Sequence, residues 1–202
     1  MLELRDLHAV RGRRRVFAGL TAQVQPGQLL RVAGANGAGK TTLLRLVCGL
    51  AQPASGQVLW QGRSVGAQRD EFNRSLVYVG HGAALKDDLS GLENLHAACL
   101  LGGVAADDAV AREALAGAGL RGRERAPART LSQGQRRRAV LARLALSSTQ
   151  PLWVLDEPFN ALDTAATAWL AGLVEAQLAR QGIVVLTSHQ PVPLAEHLTV
   201  TL

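Results

Sequence analysis

The chain has 202 residues, 48% of them hydrophobic but only 3% aromatic, and a formal net charge of +6. This length suffices for one globular unit that buries roughly 70% of its unfolded surface around a core of mainly Leu, Val and Ala. No stretch approaches the ~18 uninterrupted apolar residues of a membrane span, no secretory signal is evident, and the cysteines lack metal-type spacing.

Arginine supplies most of the positive charge, because only Lys40 and Lys86 among the 22 basic residues are lysines. A basic surface could contact anionic lipid headgroups or nucleic acid. A compositional bias toward Arg and Ala is a third explanation, and the net charge alone does not choose among the three.

Two strands are predicted at the start of the chain. Residues Leu2 to Leu7 alternate between apolar and polar side chains, and Val16 to Val24 gives a second strand. Between them, the run from Arg11 to Arg15 predicts a basic hairpin tip, which we expect to be a solvated turn. Pro26-Gly27 predicts a further turn.

The next stretch matches the P-loop template. Residues Gly34 to Thr41 fit G-x-x-x-x-G-K-[ST], between an apolar strand at Leu29–Ala33 and a helix at Thr42–Val47. The glycines let main-chain N–H groups turn toward phosphate oxygens, Lys40 brings a positive charge to them, and the Thr41 hydroxyl can bind Mg²⁺. The predicted ATP-binding residues here are Gly34, Ala35, Asn36, Gly37, Ala38, Gly39, Lys40, Thr41 and Thr42.

The remaining elements alternate between strands and helices, apart from one helical stretch. Strands are predicted at 57–60, 76–79, 152–155, 183–187 and 198–202, and helices at 91–101, 107–118, 139–146 and 164–180. This order predicts an α/β protein with a mostly parallel sheet. The helical stretch is expected to be a subdomain at 82–147, inserted into a nucleotide-binding core at 1–81 and 148–202.

Two carboxylates follow the apolar strand at 152–155. At the tip of the strand, Asp156 can hold Mg²⁺ directly or through water. One residue later, Glu157 can polarise the water that attacks the γ-phosphate. Glu157 is therefore a candidate catalytic residue, and Thr41 and Asp156 are the candidate metal ligands.

A resemblance to a known family begins at Leu131-Ser132-Gln133-Gly134-Gln135, which precedes a helix. This segment resembles the L-S-G-G-Q signature of the ATP-binding cassette (ABC) ATPases, with Gln133 as the one departure. The resemblance implies a RecA-like P-loop NTPase fold and a homodimer. In that dimer, Ser132 and Gly134 would contact the γ-phosphate of ATP on the P-loop of the second copy, at a helix N-terminus suited to anions.

Two further segments extend the resemblance. Asn160-Ala161-Leu162-Asp163 is similar to the family's D-loop, S-A-L-D, with Asn160 in place of Ser. This likeness implies that Asp163 lies at the dimer interface. Thr187-Ser188-His189 matches the family's switch histidine, which implies that His189 acts with Glu157 in catalysis.

Two positions depart from the family pattern. His81 stands where the family usually has a Gln that binds Mg²⁺ and links to the transport partner. Neutral imidazole is a poor ligand for Mg²⁺, so we expect a coupling role for His81, and its contact with the metal is left open. The family's adenine-stacking aromatic is not evident, and Arg11 or Phe17 could take its place.

Among ABC proteins, the chain resembles the ATP-binding subunit of the haem exporter of cytochrome c maturation. The resemblance rests on Gly80-His81, the basic run after Gln135, Asp156-Glu157-Pro158-Phe159 and Thr187-Ser188-His189-Gln190-Pro191. It implies a peripheral subunit on the cytoplasmic side of the bacterial inner membrane, with ATP and Mg²⁺ as cofactors. Its implied partners are integral membrane subunits and haem pathway components.

Two alternatives stay open. The chain could serve another ABC importer or exporter, since no residue is assigned to haem. A soluble ABC ATPase that acts on nucleic acid is permitted by the basic charge. Such proteins usually carry coiled-coil arms or paired cassettes, and neither is evident here, so nucleic acid is not expected as a partner.

Overall fold

The computed structural model of the chain describes residues 1–189, 193–195 and 198–202. Its strands are β1 (Leu2–Arg11), β2 (Arg14–Val24), β3 (Leu29–Ala33), β4 (Ser55–Trp60), β5 (Arg63–Ser64), β6 (Leu76–Val79), β7 (Leu152–Leu155), β8 (Ile183–Thr187) and β9 (Leu198–Thr201). Its α-helices are α1 (Lys40–Val47), α2 (Arg69–Arg74), α3 (Gly91–Leu101), α4 (Asp108–Leu115), α5 (Gln133–Leu141) and α6 (Thr164–Ala179).

A parallel sheet with the strand order β6-β7-β8-β3-β9 carries the loops of the candidate site. Strands β7 and β8 are buried along their whole length, as expected for continuous apolar runs in a parallel sheet. Because parallel strands end at the same edge, the residues that follow β3, β7 and β8 meet there. These residues are the P-loop, the pair Asp156-Glu157, and His189.

A second, antiparallel sheet has the strand order β2-β1-β4-β5, and the sequence patterns did not predict it as a separate sheet. Apolar side chains of β1, of α1 and of one face of the parallel sheet share a buried cluster that includes Leu4, Leu44 and Val185. Helix α1 contacts both β1 and the parallel strands β7 and β8. This packing holds the helix that follows the P-loop against the sheet.

Helices α5 and α6 cover the opposite face of the parallel sheet. Leu141 of α5 and Val174 of α6 lie in one buried cluster with Trp153 of β7. The next residue of β7, Val154, belongs to the cluster on the first face, as the two-residue period of a strand requires. The start of α5 is thereby fixed close to the carboxyl edge of the sheet.

Helices α3 and α4 form a third buried cluster with α5, which includes Leu95, Leu115 and Ala139. Helix α3 begins where it is predicted, because Ser90 and Glu93 form a capping box. The hydroxyl and main-chain N–H of Ser90 both donate to the Glu93 carboxylate, and they lower its pKa. The subdomain boundaries at 82 and 147 stay a prediction.

Several observed elements differ from the predicted ones. Strand β1 extends to Arg11 and β2 starts at Arg14, since the antiparallel ladder continues into polar residues that show no alternation. Helix α2 was not predicted, because Phe72 is its only buried residue and leaves no helical periodicity. Helix α5 begins directly after Ser132 but ends at Leu141, where a 3₁₀ turn at Ala142–Leu146 continues it, and a π turn at Ala116–Leu120 follows α4.

Gly56 in β4 is required by the close approach of two main chains. Its φ is +81°, and an added Cβ atom would overlap the main-chain oxygens of Arg5 and Asp6 in β1. We expect Gly56→Ala to lower the free energy of unfolding by more than about 3 kcal/mol, because strain of ~1–3 kcal/mol adds to an overlap that no rotamer relieves. Equilibrium unfolding in urea measures this loss.

Gly62→Ala is the matched control for this prediction. Gly62 has a similar φ of +79°, but nothing lies within 4 Å of an added Cβ atom. This variant should therefore lose only the strain of the left-handed conformation, about 1–2 kcal/mol. Equal losses in the two variants would contradict the proposed overlap at Gly56.

Candidate active site

The loops at the carboxyl edge of the parallel sheet line a pocket of about 440 Å³. Among the residues that line this pocket, those predicted from the sequence are Asn36, Gly37, Ala38, Gly39, Lys40, Thr41, Thr42, His81, Asp156 and Glu157. The hairpin between β1 and β2 adds Arg11, Arg14 and Val16 to this lining. The structure thus brings the predicted phosphate loop and both predicted carboxylates to one pocket.

The ammonium group of Lys40 lies inside the P-loop. Its Nζ atom donates to the main-chain oxygens of Gly34 at 2.8 Å and Ala35 at 3.3 Å. The same atom lies 3.7 Å from Oε1 of Glu157, and both side chains are buried. The loop's own carbonyl groups therefore hold the positive charge of Lys40 beside the catalytic carboxylate candidate.

Gly39 must remain a glycine for two separate reasons. Its φ of +111° lies in the region that favours glycine, and it immediately precedes α1. An added Cβ atom would also overlap Cγ1 of Val16 in the hairpin and lie 3.3 Å from Cδ1 of Phe17. The β1–β2 hairpin is thus packed directly against the P-loop.

Asp156 is held by two hydroxyl groups from two different elements. Its side-chain Oδ2 accepts a hydrogen bond from Thr41 Oγ1 at 2.8 Å, and Oδ1 accepts one from Thr187 Oγ1 at 2.7 Å. The residue is 1% exposed. The end of β7 is therefore tied to α1 on one side and to the end of β8 on the other.

The oxygen atoms of Thr41 and Asp156 suit a magnesium ion. Both side chains line the pocket, and the two oxygens lie 2.8 Å apart. Mg²⁺ is typically bound through one or two protein oxygens, with substrate phosphates and water completing its shell. The described part of the chain contains no group of three or more His, Cys, Asp or Glu side chains placed to hold a metal ion.

Glu157 has a main chain and a side chain that are both fixed. Its φ of 49° is unusual for a residue with a side chain and costs roughly 1–3 kcal/mol. The N–H group donates to Thr187 Oγ1 at 2.8 Å, while Oε2 of the carboxylate lies 3.0 Å from His189 Nδ1. Strain of this kind concentrates at functional sites, and Glu157 lines the pocket.

His189 lies beside the predicted base, as the motif implied, and its catalytic role stays a prediction. Its side chain is 41% exposed, whereas that of Glu157 is 9% exposed, so the imidazole covers the carboxylate from the solvent side. Gln190 and Pro191, which belong to the segment that resembles the haem exporters, lie outside the described residues.

His81 lies at the junction of two cavities. It lines the phosphate pocket and also a neighbouring cavity that contains Gln133 of α5 and Ala161. Its exposed side chain follows β6 at the entrance to the helical cluster. The structure therefore puts His81 between the core and the helices, and its coupling role stays a prediction.

The signature residues Ser132 and Gly134 do not line the P-loop pocket among the described residues. Ser132 caps α5, since its Oγ accepts from the Gln135 N–H and the Gln135 side chain accepts from the Ser132 N–H. An added Cβ atom on Gly134 would lie 3.0 Å from the main-chain oxygen of Ala161. Within one chain, the signature thus contacts the D-loop segment rather than the P-loop.

Asp163 has a local structural role in the chain. Its Oδ1 atom accepts from the Ala166 N–H at 2.8 Å and caps α6. Its other oxygen lies 3.8 Å from a guanidinium nitrogen of Arg138, in α5. Whether Asp163 also lies at a dimer interface stays a prediction.

The two candidates for base stacking occupy different environments. Arg11 is exposed and lines the phosphate pocket, whereas Phe17 is partly buried and packs against the core cluster under the hairpin. Arg11 shares the pocket lining with the P-loop, and Phe17 lies beside Gly39, so the base-stacking role of either residue stays a prediction. The arginine-rich hairpin tip, expected to be only a solvated turn, also contributes Arg14 to the pocket.

Sequence reasoning missed two residues that organise the site. Thr187 has no predicted role of its own, although its hydroxyl joins Asp156 to Glu157. A polar residue at the end of a buried strand was the available signal. Arg137 was read as part of a basic run, yet it is 6% exposed and donates to the main chain of Glu157. Nothing in the sequence pattern shows that burial.

None of the helices in the described ranges is both long and apolar enough to cross a bilayer.

Comparison with known proteins adds independent findings. A family model described as "ABC transporter" matches residues 17–160. A cytochrome c biogenesis ATP-binding export protein, CcmA, of Aromatoleum aromaticum is 50% identical over 195 residues, which cover 96% of this chain and 91% of that protein. The protein of the same description from Pseudomonas aeruginosa is 49% identical over 200 residues, or 99% of this chain and 98% of that protein.

A solved structure shares the fold. It is described as the dimeric structure of a post-hydrolysis state of an ATP-binding cassette bound to ADP and Pi, and it has a TM-score of 0.81 at 23% identity. The match covers 94% of this chain and 88% of that one. The family model and the relatives that span nearly the full sequence show that this chain belongs to the ABC transporter family, as one of its ATP-binding cassettes.

Proposed function

We propose that the chain is the ATP-hydrolysing subunit of an exporter in cytochrome c maturation, and that haem or a haem-loaded carrier is what this exporter moves or releases. The relatives described as cytochrome c biogenesis ATP-binding export proteins support the transport role. The observation that carries the hydrolytic role is the Glu157 carboxylate, which lies between His189 and Lys40 in the P-loop pocket. This arrangement provides a positioned base beside a phosphate-binding loop.

In the proposed reaction, Glu157 is the general base. Its carboxylate takes a proton from water while the water oxygen attacks the γ-phosphorus, and the bond from that phosphorus to the bridging oxygen breaks to give ADP and inorganic phosphate. His189 orients the carboxylate through the contact of 3.0 Å between Nδ1 and Oε2. Lys40 and the P-loop N–H groups stabilise the charge on the phosphate oxygens.

Mg²⁺ is the proposed cofactor, and Thr41 and Asp156 are its proposed protein ligands. The ion would neutralise charge on the β- and γ-phosphate oxygens. Thr187 keeps Asp156 in place for this task, since its hydroxyl donates to Oδ1 and leaves Oδ2 directed toward Thr41. His81 is proposed as a coupling residue rather than a ligand.

We propose that the working unit is a homodimer. Ser132 caps the N-terminus of α5 and Gly134 lies in its first turn, but neither is among the described residues that line the P-loop pocket of their own chain. We therefore infer that a second copy supplies these groups to the pocket. Asp163, on the loop that contacts the signature, would lie at the same interface. A dimeric cassette with the same fold supports this arrangement.

The proposed place of the chain is the cytoplasmic face of the bacterial inner membrane, bound to integral membrane subunits. Support comes from the relatives described as cytochrome c biogenesis export proteins. The subdomain at 82–147 would transmit the closing and opening of the dimer to those subunits, with His81 at its entrance.

Purification from native membranes tests this proposal. A tagged chain, extracted in mild detergent with its accompanying proteins, should retain integral membrane subunits and show the absorbance of bound haem. Recovery of membrane subunits without haem would favour another ABC importer or exporter. ATPase activity that responds to duplex nucleic acid, without membrane subunits, would favour the soluble class.

A further inference from the structure

We propose that Arg137 is a positioning residue for hydrolysis, which holds the main chain at Glu157 and at His81 in a fixed relation to the signature helix α5. This inference rests on the proposed role of Glu157 as the base. The four hydrogen bonds of the Arg137 guanidinium group go to main-chain oxygens, and none of them goes to the P-loop or to the side chain of a predicted metal ligand.

The guanidinium group of Arg137 bridges two corners of the main chain. Its Nη1 atom donates to the carbonyl oxygens of Gly80 at 2.8 Å and His81 at 3.4 Å. Its Nη2 atom donates to those of Asp156 at 2.7 Å and Glu157 at 3.0 Å. Each of the two terminal nitrogens of the planar group thus donates to two adjacent main-chain carbonyl groups.

These carbonyl groups lie just beyond the point where two neighbouring strands stop pairing. Strands β6 and β7 pair through Val79 and Leu155, and the Asp156 N–H donates to the Val79 oxygen at 2.8 Å. Strand pairing ends there, and Gly80-His81 and Asp156-Glu157 are the next residues of the two chain segments. Arg137 therefore supplies the hydrogen bonds that a longer ladder would have supplied.

The position of Arg137 argues against a role in solubility. The residue is 6% exposed, and its Nε atom has no hydrogen-bond partner among the described residues. Burial lowers the pKa of the guanidinium group, while the charges of Asp156 and Glu157 raise it. A buried charge without a direct carboxylate partner is costly, and the four carbonyl contacts offset that cost.

The same side chain connects these corners to the signature. Arg137 lies five residues after Ser132 in α5, a rise of about 7.5 Å along one continuous helix. A shift of the signature therefore moves the guanidinium group and, with it, the corner that carries Glu157. In the proposed dimer, the helix that contacts the second copy would therefore set the orientation of the base in its own copy.

Arg137→Lys tests this inference, because lysine keeps the charge but has no planar fork to reach both pairs of carbonyls. We expect kcat to fall by about 10²-fold, the size of effect that a displacement of about 1 Å produces, while KM for ATP changes by less than about threefold. The matched control is Arg143→Lys, in the half-buried 3₁₀ turn that continues α5 and packs near Cys99. This control should leave kcat unchanged.

A double variant separates positioning from general stability. If Arg137 acts through Glu157, Arg137→Lys should lower turnover no further in the Glu157→Gln background. An equal fold-loss in both backgrounds, or a kcat within about twofold of the parent in Arg137→Lys alone, would overturn the inference. Full turnover in Glu157→Gln alone would instead show that Glu157 is not the base, and it would contradict the proposed function.

Amide hydrogen exchange of the full chain measures the effect of Arg137→Lys on the main chain without relying on enzyme activity. Faster exchange confined to the segments 79–83 and 155–160 in Arg137→Lys, and absent in Arg143→Lys, supports the inference; unchanged exchange in both segments overturns it. Should Arg137→Lys not fold, Arg137→Ala assayed with added guanidinium ion decides the question. Recovery of kcat with guanidinium but not with sodium supports positioning, and no recovery in the folded variant refutes it.

Discussion

Replacing Glu157 by glutamine is expected to lower ATP turnover by about 10²-fold or more, while ATP binding is retained. Glutamine has the size of glutamate and can keep a hydrogen bond to His189, which lies 3.0 Å from the carboxylate. It cannot take a proton from water, so the loss should appear in kcat. Steady-state phosphate release measures turnover, and calorimetry with ATP measures binding.

Glu175→Gln is the control for this prediction. Glu175 is an exposed carboxylate on α6, so the same loss of charge there should leave turnover unchanged. Near-normal hydrolysis in Glu157→Gln would remove Glu157 from the role of base. Loss of ATP binding in that variant would show instead that its ion pair with Lys40, at 3.7 Å, maintains the pocket.

The second large effect is expected from mixing two inactive variants. Lys40→Ala removes the phosphate-binding charge from the P-loop. Ser132→Asp keeps a good N-cap for α5 but introduces a carboxylate that repels the negatively charged γ-phosphate. Each variant alone should lose nearly all ATP turnover. An equal mixture should recover about a quarter of the parent activity, because half of randomly paired two-fold dimers are mixed and each has one intact site.

A third variant gives this experiment its control. Lys40 and Glu157 lie 3.7 Å apart in the same chain, so both belong to the same half of a shared site. A mixture of Lys40→Ala with Glu157→Gln should therefore recover no activity. Absence of recovery in the Ser132 mixture would contradict a site built by two copies.

The parallel sheet could be predicted from sequence because its strands are short apolar runs that end at turn residues. The predicted bounds of β3, β6, β7 and β8 coincide with the observed ones. Of the antiparallel sheet, only the β1–β2 hairpin could be predicted, because the pairing of β1 with β4 joins segments that are distant in sequence and strand pairing is not a local property.

The candidate site likewise contains residues that could be predicted from the sequence and residues that could not. Lys40, Thr41 and Asp156 could be found because each occupies a fixed position in a motif, and the structure brings them to one pocket. Arg137 could not, because a basic residue on a helix is usually exposed, and only the packing of α5 on the sheet buries this one.

The arginines at the tip of the β1–β2 hairpin have a practical consequence. Arg11 and Arg14 line the mouth of the pocket but remain exposed to solvent, and the attraction between exposed charges is screened within about 10 Å at an ionic strength of 0.1 M. Nucleotide affinity should therefore depend on the salt in the buffer, and dissociation constants for hairpin variants are comparable only at one ionic strength.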